Sequence, residues 1–168
     1  MRECVILGIL MLNAVLQSSV FPFLQINNII FDSLLILVVS FSLIAGNPTG
    51  AVVGFVGGLL QDILFGNNIG LYTLQYMLIG YMVGFAYMKV YTDRLLIPIV
   101  FVVLTSILKQ IIVLIYNFFM QAGIPMDKAL YKIIIPEALY TIVLTPIVFT
   151  MIYKLYRHKF MRRKLWRG

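Results

Sequence analysis

Six apolar runs divide this sequence, and only short polar segments lie between them. A transmembrane helix needs about 20 apolar residues to cross a hydrocarbon core of about 30 Å. Within lipid the backbone has no water to bind, so such a run must satisfy its own hydrogen bonds as a helix. The sequence therefore predicts an all-α membrane protein, a bundle of six transmembrane helices. The predicted spans cover residues 4–24, 29–45, 50–65, 70–88, 95–121 and 133–156.

The composition supports this fold class and leaves little sequence for anything else. Hydrophobic residues make up 62% of the 168 residues and charged residues only 11%, whereas soluble domains carry roughly 25% charged residues. We therefore expect a six-span transmembrane domain over residues 1–156 and a basic cytoplasmic tail over residues 157–168. Much of the net charge of +7 lies in that tail. A basic segment beside a span is typical of contact with anionic lipid, and we expect no binding of nucleic acid.

The distribution of lysine and arginine predicts the orientation, because loops rich in these residues stay in the cytoplasm. With the N-terminus inside, Lys128 and Lys132 are the only basic residues of the outer loops. Both termini are therefore expected in the cytoplasm. A cleaved signal peptide over the first run is the alternative, and it would leave five spans and the same tail. We expect the run to be retained because it lacks an Ala-x-Ala cleavage site and is interrupted by Asn13 and Gln17.

Glycines recur at four-residue spacing along the third span and again in the fourth. Residues four apart share a helix face, and small residues on one face let two helices approach closely in lipid. We expect these glycines to form a helix-packing surface or an interface with a partner helix. They are Gly50, Gly54, Gly58, Gly80 and Gly84.

Four charged residues interrupt the apolar spans, and we expect them to form an intramembrane polar network: Asp32, Asp62, Lys109 and Glu137. A charge at the bilayer centre costs at least about 2.5 kcal/mol, so each needs a partner. Asp32 and Glu137 begin helices, where carboxylates suit the free N–H groups and the helix dipole. Asp62 lies near a helix C-terminus, which disfavours a negative charge, so we expect a buried ion pair with Lys109. Lys109 has Asp62 and Glu137 as its two candidate partners.

The residues that catalysis needs are largely missing. His158 is the only histidine and lies in the tail, and Cys4 is the only cysteine. An intrachain disulfide is therefore excluded, and no cluster of metal ligands is available in the spans. There is no phosphate-binding loop and no Gly-x-Ser-x-Gly motif, and Asp32 and Asp62 lack the Gly-x-Gly-Asp context of the intramembrane aspartyl proteases. We expect no catalytic residue, no metal, no cofactor and no enzymatic activity.

Three segments carry a recognisable pattern: LQSSVFPFL at 16–24, residues 31–84 with GAVVGFVGGLLQDILFGNNIG inside them, and IPEALYTIVLTPIVF at 135–149. With these segments, the span count and the basic tail, nearly the whole chain resembles the bacterial rod shape-determining MreD family. Two positions depart from the family pattern, since Phe31 stands where the family usually has proline and Thr141 where it usually has asparagine. By residue match, the motif positions are Gly54, Gly58, Asp62, Gly66, Gly70, Pro136, Glu137 and Tyr140.

The resemblance implies a multi-pass subunit of the machinery that elongates rod-shaped bacteria. It implies that the protein works with the bitopic membrane protein MreC and, directly or through MreC, with the actin-like MreB, RodA and a class B penicillin-binding protein. No chemistry is attributed to the family. The resemblance also implies a fold similar to the six-helix substrate-binding subunits of energy-coupling-factor transporters.

Two functional hypotheses follow from the residues and the resemblance. The first is a membrane scaffold that binds a partner helix through an intramembrane face, which the glycines and the lack of catalytic residues favour. The alternative is a small-solute binding or transport subunit, whose four intramembrane charges would line a polar pocket open to the outside. Against this alternative, the first span has only Ala14 where the vitamin-binding subunits use an Ala-x-x-x-Ala pattern.

Overall fold

The computed structural model describes residues 2–19, 32–65, 70–87, 96–119 and 135–157. All regular structure in these residues is helical, and no strand occurs among them. Six helices follow one another along the chain, which agrees with the predicted all-α class. They are α1 (Arg2–Ser19), α2 (Ser33–Ala45), α3 (Asn47–Phe65), α4 (Leu71–Gly84), α5 (Leu96–Phe119) and α6 (Ile135–Arg157).

Helix α2 lies at the centre of the bundle and contacts each of the other five helices. Every residue of α2 except Ile44 is buried. The sequence is compatible with this position, because a helix that is apolar all round can be enclosed on every side without burying a charged side chain. Its two inner hydroxyl residues need no partner from another helix, since Ser40 Oγ donates to Ile36 O and Ser42 Oγ donates to Val38 O, each at 2.6 Å.

One residue, Gly46, joins α2 to α3 and turns the chain into a tight hairpin. Gly46 has a φ of +88°, a left-handed conformation that glycine adopts without steric cost. The next helix begins at once, so Asn47 and Pro48 belong to its first turn rather than to a longer loop. Proline is compatible with that position because the first N–H groups of a helix have no partner within it.

The contact between α3 and α4 is the most extensive of all helix pairs in the described part of the chain. Gly54 lies against the backbone at Tyr76 and Met77, and Gly58 lies against the backbone at Tyr72 and Thr73. A Cβ added at either glycine would overlap these atoms, so the approach requires glycine. We call this contact the glycine seam, and its residues are Gly50, Gly54, Gly58, Tyr72, Thr73, Tyr76, Gly80 and Gly84 together with Asn47, which faces Gly84.

The peripheral helices expose large apolar surfaces. The buried residues of α5 recur at intervals of about one helical turn, and three of the five are polar. They are Pro98, Val102, Thr105, Ser106 and Lys109. The opposite side of α5 is aliphatic, and Leu104, Ile107 and Ile111 are each at least half exposed. A long apolar helix with this division suits a lipid environment outside and a polar contact inside.

Two helical segments of the described chain are long and apolar enough to cross a membrane, Asn47–Phe65 and Leu96–Tyr116. Three shorter apolar segments accompany them, Cys4–Ser19, Ser33–Ala45 and Leu139–Leu155. The 13 residues of α2 rise about 20 Å as an α-helix, which is less than a hydrocarbon core. Parts of the first, second, fourth, fifth and sixth predicted spans, and residues 158–168 of the predicted tail, lie outside the described residues.

Candidate functional site

Asp32 forms the first half of a buried polar cluster at the start of α2. Its Oδ1 accepts the Leu35 N–H at 2.9 Å, so the side chain caps the helix. Its Oδ2 accepts the Tyr76 hydroxyl at 2.6 Å and Lys109 Nζ at 2.5 Å. The Asp32 N–H donates to Thr141 Oγ1 at 3.3 Å. One residue thus joins the centre of the bundle to α4, α5 and α6.

Glu137 forms the second half of the cluster, in the first turn of α6. Its Oε1 accepts Lys109 Nζ at 2.9 Å, and its Oε2 accepts Gln110 Nε2 at 3.0 Å. Lys109 also lies 5.9 Å from the centroid of the Tyr76 ring, within the range of a cation–π contact. We call the set the Lys109 cluster, and its members are Asp32, Tyr76, Lys109, Gln110, Glu137 and Thr141.

The Lys109 cluster balances its charge with helix termini. Two carboxylates and one ammonium leave one net negative charge, which is costly away from water. Asp32 caps the N-terminus of α2, and Glu137 lies in the first turn of α6. Each helix N-terminus is equivalent to roughly +0.5 charge, so the two together offset about one negative charge. All four carboxylate oxygens of Asp32 and Glu137 also accept at least one hydrogen bond.

Asp62 forms a second, separate polar contact at the end of the glycine seam where α4 begins. Its Oδ2 accepts the Gly70 and Thr73 N–H groups at 3.0 and 2.9 Å, and its Oδ1 accepts the Tyr72 N–H at 3.1 Å. The Thr73 hydroxyl donates to the same carboxylate. Asp62 is only 1% exposed. We call this arrangement the Asp62 cap, because a side chain from α3 supplies the acceptors that the first turn of α4 lacks.

The Asp62 cap corrects the expectation of an ion pair between Asp62 and Lys109. In the described residues, Lys109 pairs with Asp32 and Glu137, and no cation pairs with Asp62. The expectation rested on the unfavourable dipole at the C-terminus of α3. That unfavourable field is offset by the N-terminus of the next helix, whose free N–H groups stabilise a negative charge. The structure therefore distributes the four predicted polar residues over two places rather than one.

Sequence reasoning missed four polar partners, Thr73, Tyr76, Gln110 and Thr141. Three of them carry a signal in the sequence. Thr73 and Tyr76 precede Gly80 by seven and four residues, so they share a face with the glycine of the seam. Thr141 follows Glu137 by one helical turn and donates its hydroxyl to Glu137 O at 2.7 Å. Gln110 has no comparable signal, because it follows Lys109 directly and reaches Glu137 from an adjacent face.

The remaining motif positions that are described lie at or near the starts of α4 and α6. Gly70 begins α4 with a φ of +105°, which explains the need for glycine. Pro136 is the second residue of α6, and Tyr140 lies half-buried one turn later. Gly66 lies outside the described residues.

The carboxylates at the Lys109 cluster and the Asp62 cap bind groups of the chain itself. Each carboxylate oxygen of Asp32, Asp62 and Glu137 is already an acceptor for a donor of the chain itself. Within the described part of the chain, no three His, Cys, Asp or Glu side chains gather as metal ligands. What the geometry does provide is cohesion, since the Lys109 cluster ties α2, α4, α5 and α6 together and the Asp62 cap fixes α4 on α3.

These features define a helical membrane protein whose buried charges hold its helices to one another. Comparison with protein families specifies the class further, because the family model described as rod shape-determining protein MreD matches residues 2–159 of the chain. The chain belongs to the MreD family, and its role is in the determination of rod shape. No curated protein and no solved structure gives a significant match to the chain.

Proposed function

We propose that the protein is a non-enzymatic scaffold subunit of the bacterial cell-elongation machinery, which supports rod shape and lateral peptidoglycan synthesis through helix contacts with partner proteins. The observation that carries this proposal is the family match over residues 2–159. A family that determines cell shape must act on wall synthesis, and a chain without catalytic residues can do so by holding other proteins in place.

The occupied polar groups support a scaffold over a solute-binding subunit. A pocket for a polar solute requires donors and acceptors that are free to bind it. The intramembrane charges that would line such a pocket instead bind one another or the backbone, as in the Lys109 cluster and the Asp62 cap. The same contacts make the bundle rigid, which suits a protein that presents a fixed surface to partners.

We further propose a multi-pass topology of six spans in the cell membrane with both termini in the cytoplasm. The asymmetric distribution of lysine and arginine supports this orientation, and the two apolar segments of α3 and α5 supply two spans of sufficient length. In this topology the basic tail contacts anionic lipid. A fold similar to the substrate-binding subunits of energy-coupling-factor transporters remains part of the proposal.

The proposed partners are those that the family resemblance implies. An MreC-like bitopic protein binds within the membrane, and MreB, RodA and a class B penicillin-binding protein associate directly or through it. The glycines predicted as a packing surface or partner interface lie inside the seam between α3 and α4. We therefore propose that partners bind other surfaces and depend on the seam for its support of the fold.

A crosslinked pull-down of the tagged protein from its native membrane tests the proposal, with the recovered proteins identified by mass spectrometry. We expect a bitopic partner and wall synthases, and we expect depleted cells to lose rod shape until the tagged protein is restored. An unrelated multi-pass protein with the same tag is the control. Recovery of ATPases with a transmembrane coupling subunit, and rod-shaped depleted cells, would instead indicate solute transport.

A further inference from the structure

A small polar cleft lies where α1 meets α2 and α3, away from the Lys109 cluster and the Asp62 cap. Its walls include Leu10 and Leu34, and three carboxamide side chains line it, those of Asn13, Gln17 and Gln61. The cleft has room for about one water-sized group.

One polar group in this amide cleft is enclosed without a hydrogen-bond partner among the described residues. Asn13 is 8% exposed, although carboxamides usually lie at the surface of a protein. The Oε1 of Gln61 is enclosed and has no hydrogen-bond partner. An enclosed acceptor without a donor costs about as much as a lost hydrogen bond, so a ligand that supplies the donor would be favoured. Since a half-turn exchanges the two ends of a carboxamide, Gln61 offers either an acceptor or a donor.

The lining of the cleft restricts the chemistry of that ligand. No charged side chain is among the described residues that line it, so neither a phosphate nor an ammonium group would find a counter-ion. A neutral group with a donor and an acceptor fits, which means a hydroxyl or a carboxamide. The space for about one water-sized group excludes a whole solute and admits the end of one side chain.

The position of the cleft favours a protein ligand over water or lipid. It lies beside α1, which among the described residues packs only against α2 and α3 and exposes much of its apolar surface. Small and polar side chains at such a place are typical of contacts between transmembrane helices. Ala14 and Gly57 also line the cleft, and their size permits a neighbouring backbone to come close.

We propose that the amide cleft is a docking site for one transmembrane helix of another protein, which inserts a Ser, Thr, Asn or Gln side chain between Asn13 and Gln61. This inference rests on the proposed scaffold function and adds the surface and the chemistry of the contact. The polar side chain of the partner supplies the hydrogen bond that Gln61 Oε1 does not find among the described residues.

The test compares Gln61→Leu with the unaltered full-length protein in two measurements. In the crosslinked pull-down we expect the recovery of the bound membrane partner to fall about 3- to 20-fold, as for the loss of one interhelical hydrogen bond. In thermal unfolding of the purified protein we expect the melting temperature to stay the same or rise, because leucine leaves no unpaired amide. Asn13→Leu should reduce recovery in the same way. Ser18→Leu, at an exposed site on α1, is the matched control and should change neither quantity.

Each other outcome overturns the inference in a recognisable way. Unchanged recovery with Gln61→Leu places the docking site elsewhere and leaves the scaffold proposal standing. A lowered melting temperature with unchanged recovery gives Gln61 a role in the fold alone. Loss of a co-purified lipid, with protein partners retained, assigns the cleft to lipid. If the unaltered protein recovers no membrane partner at all, the scaffold proposal fails and the docking site fails with it.

A photo-crosslinking residue at Ala14 locates the contact independently. We expect it to crosslink to a partner span that has Ser, Thr, Asn or Gln within one helical turn of the crosslinked residue. The same residue at Leu104, on the exposed aliphatic face of α5, should not reach that span. A crosslink to an entirely apolar span would contradict the proposed chemistry.

Discussion

At the scale of single residues, Lys109 is the cation on which two carboxylates depend. Lys109→Met keeps most of the volume and removes the charge, so Asp32 and Glu137 would face each other without a counter-ion. Removal of one partner from a buried ion pair typically costs about 3–5 kcal/mol. We expect a loss of this size in the free energy of unfolding, measured by denaturant titration in detergent. Lys154→Met, at an exposed position of α6, should change it by less than about 0.5 kcal/mol. Equal losses from the two variants would contradict the structure of the cluster.

Asp62 depends on charge in a different way, because its partners are N–H and O–H groups rather than a cation. In Asp62→Asn one oxygen becomes an amide that cannot accept, and it meets either the Tyr72 N–H or the donors of Gly70 and Thr73. Hydrogen bonds to charged groups contribute about 1.5–3 kcal/mol, so we expect a loss of at least this size. Thr73→Val removes only one of the four donors and should cost about 1 kcal/mol. Thermal unfolding of both variants checks this order, and an equal or reversed order would argue against the cap.

The Lys109 cluster and the Asp62 cap also differ in how far the sequence could predict their contacts. The donors to Asp62 lie 8 to 11 residues along the chain, so a turn at Gly70 could have suggested a local cap. The partners of Asp32 are 77 residues away at Lys109 and 109 residues away at Thr141. Contacts of that separation depend on how helices are arranged in the bundle, which hydrophobic pattern and helix propensity do not specify.

At the scale of helices, a glycine inside the glycine seam can be compared with a glycine outside it. A Cβ at Gly54 would overlap the backbone of α4, whereas a Cβ at Gly8 of α1 would meet nothing within 4 Å. We expect Gly54→Ala to destabilise the protein by about 1–3 kcal/mol through overpacking. Gly8→Ala should be neutral or stabilise α1 by up to about 1 kcal/mol, because alanine is the better helix former.

Melting temperatures and cell shape check the comparison between Gly54 and Gly8. We expect cells that express only Gly54→Ala to round up, and cells that express Gly8→Ala to remain rods. If both variants melt like the unaltered protein, α3 and α4 do not approach as closely as the seam requires. If both are destabilised alike, the effect belongs to glycine in general rather than to the seam.

Helix boundaries show what apolar patterning can and cannot predict. The runs over 29–45 and 50–65 predicted two helices joined by a turn over residues 46–49, and the structure has a hairpin there. The turn is shorter, because Asn47 to Thr49 continue into α3. Hydrophobicity alone placed the boundary too late, since polar residues in a first helical turn are favourable but do not look apolar.

At the scale of the whole molecule, the Lys109 cluster and the Asp62 cap hold different parts of the bundle together. Helices α3 and α4 share the glycine seam and the Asp62 cap, and both pack on α2. Helices α5 and α6 join α2 through a narrower contact that includes the Lys109 cluster. We therefore expect the parts to open separately, because local opening follows the density of buried contacts. The sequence predicted six helices but not this division, which arises from the placement of the charges.

Hydrogen exchange of the detergent-solubilised protein tests the division directly. Lys109→Met should speed exchange in α5 and α6 and leave the seam between α3 and α4 protected, because the glycine contacts do not involve that charge. Asp62→Asn should do the reverse, with faster exchange at the first turn of α4 and little change in α6. Lys154→Met serves again as the control and should leave both regions unchanged. Uniformly faster exchange in both variants would show that the bundle opens as one cooperative unit, and the two polar places would then stabilise the whole fold together.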